Sequence, residues 1–357
     1  MRASLAITLL LFALLNIGIG LFWKPAVDVI YKIPHGPKSL NVDISQLSPP
    51  ETYPDAKTGP AIKYSYSGDE TKESSGKIEV TKTDLTTKKP VYHFTANVDS
   101  EGQRLLPEGL RTSSDQAKIL VLGCSFTFGI GLADDETVSA YLQKKSPFES
   151  VHTIARGGWG PNDVLDYVDQ HLSEMKDVDY VFYQFIDDHV TRATMPSIVF
   201  AMEGGKDWML DKTNYRITPE GLQKVGKFQD RTFTNLLFDG LSYLPLLSYM
   251  HVSFPRLDSN YSLEKTAAII QKIQQDIQTQ SPKAKFVVAI YPYGTEEIAP
   301  KFLPHLQKRS LEILNFSEYN FDAATGNRIL IPLDGHPTKY TNYILAEKYR
   351  EYIEQQH

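Results

Sequence analysis

Cysteine is almost missing from this 357-residue chain, where Cys124 is the single one. One thiol excludes an internal disulfide and any cysteine-rich zinc site. No His-x₃-His pair occurs, and Asp187, Asp188 and His189 are adjacent along the chain and cannot all converge on one ion. No metal and no cofactor is expected. Charge of one sign is also in short supply. The 37 Lys and Arg stand against 43 Asp and Glu, a net −6 with both signs mixed and no basic stripe, so nucleic acid is not an expected partner. Gly123 and Gly129, with five residues between them, resemble a phosphate loop only superficially, and the Gly-Lys-Ser/Thr ending is absent. There is no internal repeat, no low-complexity tract and no lipobox.

Charge is absent altogether from Ala3 to Trp23. At 1.5 Å per residue this run spans roughly 30 Å, the thickness of a bilayer core. A cleaved signal peptide would leave through small residues. This run leaves through Gly18-Ile-Gly-Leu-Phe-Trp-Lys24, which is bulky and aromatic, as at a membrane interface. Residues 1–24 are therefore expected to be a transmembrane helix or signal-anchor that associates the chain with a membrane. The remainder would lie on the periplasmic or extracellular side.

Residues 25–115 have another character. Pro25, Pro34, Pro37, Pro49, Pro50, Pro54 and Pro60 imply an extended linker. Alternating runs at 61–66, 76–81 and 91–96, separated by turn-forming residues, then imply a small β-rich module. From Lys118 onward the pattern changes to strands at 118–122, 150–155, 179–185, 285–291 and 311–315. Helical patterns fill 134–145, 161–175, 262–279, 296–309 and 338–354. Such alternation predicts an α/β domain over 116–357, with a parallel sheet covered on both faces. Residues 195–258 interrupt it and read as an insertion, a lid or substrate wall.

The apolar strand Lys118-Ile-Leu-Val-Leu-Gly123 ends two residues before Ser125. A serine at a strand-to-helix turn has its hydroxyl at the carboxyl edge of the sheet, where open α/β folds place their sites. A serine needs a general base to become a nucleophile. Asp334-Gly335-His336-Pro337, far downstream, offers an imidazole with a carboxylate beside it. The bland alternatives are a turn serine bonded to nearby backbone, a surface histidine, and Asp334 as a turn former with Gly335 supplying an unusual φ. Cys124, the only thiol, reads as a small packed hydrophobe rather than a nucleophile.

Gly123-Cys124-Ser125 and the following Phe126-Thr-Phe-Gly-Ile-Gly-Leu-Ala-Asp-Asp-Glu-Thr137 resemble the first block of the SGNH (GDSL-like) hydrolase family, in its bacterial envelope form. The last block resembles Asp334-Gly-His-Pro337, and the likeness covers roughly residues 116–357. It implies a flavodoxin-like three-layer α/β/α fold, Ser125 as nucleophile, His336 as base and Asp334 as its orienting carboxylate. Asp334 lies two residues before His336, where the family has three. The family's oxyanion glycine aligns with Gly158 in Thr153-Ile-Ala-Arg-Gly-Gly-Trp-Gly-Pro-Asn162, with Gly157 and Gly160 as rivals.

The family's oxyanion Asn falls on Asp188, or on Asp187 after a one-residue shift. An ionised carboxylate cannot donate, so Asp188 would serve only if protonated, or else the role passes to Gln184. His189 and Arg192 bind an anionic or polyol substrate, or else pair with Asp187 and Asp188. Asn97-Val-Asp-Ser-Glu-Gly-Gln-Arg104 resembles a segment that precedes the first block in envelope members. The expected activity is that of a serine esterase acting on an acyl or acetyl ester of an envelope carbohydrate or lipid-linked substrate. The alternatives are an O-acyltransferase for an envelope polysaccharide and a catalytically impaired binding module.

Overall fold

The computed structural model describes residues 8, 11–16, 38–40, 42–47, 62–67, 76–84, 88–111, 118–145, 150–202, 205–250, 252–293, 297–326 and 328–356. In chain order the strands are β1 (Ile62–Ser67), β2 (Gly76–Asp84), β3 (Pro90–Val98), β4 (Ile119–Gly123), β5 (Val151–Ala155), β6 (Tyr180–Phe185), β7 (Thr213–Thr218), β8 (Gly221–Lys227), β9 (Lys285–Ile290) and β10 (Glu312–Asn315). All five strands expected of the α/β domain form, and they pair in parallel in the order β10-β9-β6-β4-β5.

The strand residues explain the layering. In β4, Leu120 and Leu122 join one apolar cluster while Ile119 and Val121 join another; β6 divides in the same way into Val181, Tyr183 and Phe185 against Tyr180 and Phe182. Such strands, apolar on both faces, belong in a sheet covered on both sides. Helices Pro161–Gln170, Asn260–Gln280 and Ala299–Lys308 supply the first cluster, and Val138–Lys145 and Lys339–Glu354 the second. Tyr349 of the last helix stacks on Phe182 with ring centroids 4.1 Å apart.

The chain starts the sheet at β4, adds β5 on one side, then returns to add β6 on the other. The reversal makes a crevice at the carboxyl end of β4, the place where this topology puts ligands. Ser125 lies there.

β1, β2 and β3 form a separate antiparallel sheet, as the alternating runs predict. This sheet does not stand apart from the α/β domain. Val80, Val91, Tyr92, Phe94, Ala96 and Val98 share one apolar cluster with Phe128, Leu132, Ala155 and Ile331 of the domain. Parts of the proline-rich stretch also pack down: Leu40, Val42, Ile44 and Leu47 lie on the second cluster, and Lys38 bridges to Tyr319.

The insertion holds helices Ile198–Ala201, Gly205–Leu210, Thr232–Ser242 and Pro245–Tyr249 and the β7–β8 hairpin, which packs on helices Pro161–Gln170 and Asn260–Gln280. The hairpin has no clear mark in the sequence. Most of the uncharged run 3–23 lies outside the described residues; residues 11–16 within it are helical. No helix among the described residues is long and apolar enough to cross a membrane.

Candidate active site

Ser125 opens a single helical turn, Ser125–Phe128, directly after β4. The turn is tight because Gly123 has no side chain: a Cβ there would lie 2.0 Å from the Thr127 hydroxyl oxygen. That hydroxyl donates to Gln184 Oε1 at 2.6 Å, and Gln184 Nε2 donates to the Tyr349 hydroxyl at 3.0 Å. Gln184 therefore braces the turn from below, with both ends of its amide engaged, and is not an oxyanion donor. Cys124 is buried in the second apolar cluster, as a packed hydrophobe would be. The Ser125 side chain is nearly buried, and its hydroxyl has no hydrogen-bond partner among the described residues. The bland reading of a serine spent on its own turn does not hold.

The segment before β4 secures the loop beyond Ser125. Gly102 and the turn at 99–102 bring Arg104 back under this loop. Its buried guanidinium donates to the carbonyls of Phe128 at 2.9 Å, Gly129 at 2.7 Å and Leu132 at 2.6 Å. It also donates to the Asp134 carboxylate at 2.9 Å. Three loop carbonyls that cannot reach helix or sheet partners are thereby satisfied, as buried backbone requires. Gln103, beside it, accepts from the Ala155 N–H at 2.8 Å and fixes the end of β5. This strap is the structural content of the Asn97–Arg104 segment.

His336 comes to the Ser125–Phe128 turn, against Phe126, from a loop closed on itself. Ile331 N–H donates to the His336 carbonyl at 2.8 Å, and Gly335 N–H donates to the Ile331 carbonyl at 3.1 Å. Leu333 at φ +62° and Gly335 at φ +86° bend the chain sharply on either side of Asp334. Leucine in that left-handed region costs about 1–2 kcal/mol. The bend lets Asp334 meet its second neighbour: one carboxylate oxygen accepts from both His336 Nδ1 and the His336 backbone N–H, the latter at 3.1 Å. The shortened spacing does not prevent the pair from forming.

With Nδ1 committed, Nε2 is the imidazole nitrogen left to accept a proton. The His336 ring lies edge-on to Phe126, centroids 5.2 Å apart, and so sits beside the residue that follows Ser125. Burial alone would push the Asp334 carboxyl up. The charge and hydrogen bond of His336, and then those of Lys82, outweigh it and hold the group well below the usual carboxylate range. Lys82, on β2, donates to the second carboxylate oxygen at 2.5 Å.

On the other flank, Gly123 and Ala155 are register partners in β4 and β5, so the segments leaving these strands run side by side. Beyond β5, Arg156–Trp159 make a turn closed by the Trp159 N–H to the Arg156 carbonyl at 3.3 Å. Gly158 is its third residue, at φ +72°, a position that favours glycine. Its N–H has no acceptor among the described residues. The Trp208 indole of the insertion covers this glycine, 3.5 Å from where a Cβ would stand, and is 43% exposed.

Asp188 does not fit the donor role. Its carboxylate accepts from Arg192 at 3.1 Å, one turn along helix Asp188–Thr194. Arg192 also donates to the Trp159 carbonyl at 2.7 Å, which ties the glycine turn to this helix. Of the two readings of Arg192, the ion pair is the one found. His189 is fully buried against Tyr183 and Phe185, its Nδ1 3.1 Å from the Tyr183 hydroxyl, and does not face the site. Burial, then the nearby Arg192, pushes its pKa well below the ordinary value. Lys82 is the residue that the sequence left unmarked, and an inward-facing Lys beside Val80 on a strand was the available signal; Arg104 was marked only as the end of a resembling segment, without a role.

No protein-family profile and no curated protein matches the chain. Solved structures with a similar chain path include the acetyl xylan esterase Est2A from the rumen bacterium Butyrivibrio proteoclasticus, at TM-score 0.39 and 9% identity over 69% of this chain and 65% of that one. The psychrotrophic esterase EstA of a Pseudoalteromonas species gives 0.36 and 14% over 67% of this chain and 97% of that one. A member of the lipolytic protein G-D-S-L family from Veillonella parvula DSM 2008 gives 0.33 and 11% over 65% and 96%.

Proposed function

We propose that the chain is a serine esterase. The observation that supports this reading is the Asp334–His336 pair, with Nδ1 held by the carboxylate and the imidazole beside Phe126, the residue that follows Ser125 at the carboxyl end of β4. In this reading His336 Nε2 takes the proton of the Ser125 hydroxyl as that oxygen attacks an ester carbonyl. The carbonyl oxygen gathers negative charge, which the backbone N–H groups of Ser125 and Gly158 stabilise. The proton returns to the leaving alcohol, and water repeats the sequence on the acyl-enzyme. Asp334 keeps the imidazole in the useful tautomer and stabilises its cation.

An acyl or acetyl ester on a carbohydrate is the substrate class that the flank suits best, because the part-exposed Trp208 indole, with Lys212 and Arg192 near its ring, stands beside the oxyanion turn where a sugar ring could contact it. The uncharged run at 3–23 supports placement at a membrane, with the site in the cell envelope. The test compares a short-chain aryl ester with an acetylated oligosaccharide. Ser125→Ala should abolish turnover of both by at least about 10³-fold without unfolding, and Trp208→Ala should raise KM for the oligosaccharide alone. Retained turnover in Ser125→Ala would reject the esterase, and equal effects of Trp208→Ala on both esters would reject the sugar.

A further inference from the structure

Lys82 faces inward on β2, two residues from the buried Val80, with its side chain 4% exposed. Burying an ammonium among apolar side chains is costly unless a partner of opposite charge meets it. That partner is Asp334, whose side chain is fully buried and whose other oxygen is engaged by His336. The β2–β3 ladder slips register between Lys82 and Thr83, and an irregularity of this kind re-aims a side chain. A strand of the small sheet and the loop before the last helix thus meet at one carboxylate.

The arrangement has an electrostatic consequence. When His336 is neutral, Asp334 keeps a compensating charge from Lys82. Without Lys82, a neutral imidazole would leave a buried carboxylate alone, and the imidazole would hold its proton more tightly. The groups acting on Asp334 are His336 from its own loop and Lys82 from β2. From the nucleophile turn His336 is faced by the Phe126 ring, itself backed by Tyr291 and Tyr293.

We propose that Lys82 is a positioning residue for the Asp334–His336 pair, so that the three-stranded sheet is part of the working site. It keeps the carboxylate charged and in place while His336 is free to accept a proton. The role rests on the reading of His336 as the proton carrier.

The test is a pH titration of the His336 imidazole by NMR in the full chain with ¹³C-labelled histidine, its resonance assigned by loss in His336→Gln. In Lys82→Met the midpoint should rise by about one pH unit, and in Lys82→Arg it should stay near that of the parent. The kcat/KM of Lys82→Met should then fall further below the parent's own midpoint than well above it, by up to about tenfold. If Lys82→Met does not fold, Lys82→Gln, which keeps a donor without the charge, carries the same expectation. An unmoved midpoint in a folded, charge-deleted variant overturns the proposal, whatever happens to stability. The titration needs no turnover: a shifted midpoint in a chain that cleaves no ester would sink the esterase and leave the coupling standing.

Discussion

Phe126 and His336 stand 210 residues apart in the chain, yet their rings meet edge to face with centroids 5.2 Å apart. Phe126 follows the candidate nucleophile, and His336 hangs from the loop before the last helix. Their contact brings the two ends of the α/β domain to one place. Phe126 is in turn packed on Tyr291 and Tyr293 at the end of β9, so the imidazole rests on a wall of rings rather than in open solvent.

Asp334→Asn should lower kcat by about 10³–10⁴ while changing KM little. The amide can offer Nδ1 a donor instead of an acceptor and so favours the wrong tautomer. Steady-state kinetics with an aryl ester checks this. A loss under tenfold would mean that the carboxylate does not orient the base.

Arg104→Met should destabilise the domain by roughly 3–5 kcal/mol, since it leaves the part-buried Asp134 without its cation and strands the Phe128 and Leu132 carbonyls. Urea unfolding measures the difference. A cost under about 1 kcal/mol would show that the loop beyond Ser125 does not depend on the strap.

His189 links stability to pH. Its folded pKa lies well below the ordinary 6.5, because burial and then Arg192 disfavour the cation. As pH falls below about 6.5 the unfolded chain gains a proton there that the folded one refuses. Stability from this group is thus full above that pH and lost at about 1.4 kcal/mol per unit below it. Unfolding free energies of the parent and His189→Phe, taken by urea titration from pH 7.5 to 5, should diverge in slope by that amount below about pH 6.5. Parallel slopes would contradict the buried neutral imidazole.

Much of this arrangement can be read from the sequence, for physical reasons that also mark where reading fails. Strands such as 119–123 and 180–185 are apolar on both faces and framed by helical periods, so their number and parallel sense follow from local pattern. Ser125 and Gly158 are legible because a nucleophile turn and a left-handed turn each demand particular residue types nearby. Asp188 misled because alignment to a donor position says nothing about a neighbour four residues on, and Arg192 takes the carboxylate. Lys82 and Arg104 act across distances of 252 and about 30 residues, and no periodicity records a contact of that kind. The packing of the small sheet onto the domain escaped notice for the same reason: alternation shows which face of a strand is apolar, not what covers it.

The account turns on an activated hydroxyl at position 125. A serine-directed fluorophosphonate incubated with the purified chain, followed by peptide mass spectrometry, tests it most directly. One adduct is predicted, on Ser125, forming at least a hundredfold more slowly in His336→Ala. A chain that stays unlabelled, or that labels at another residue, or at the same rate without His336, would contradict it.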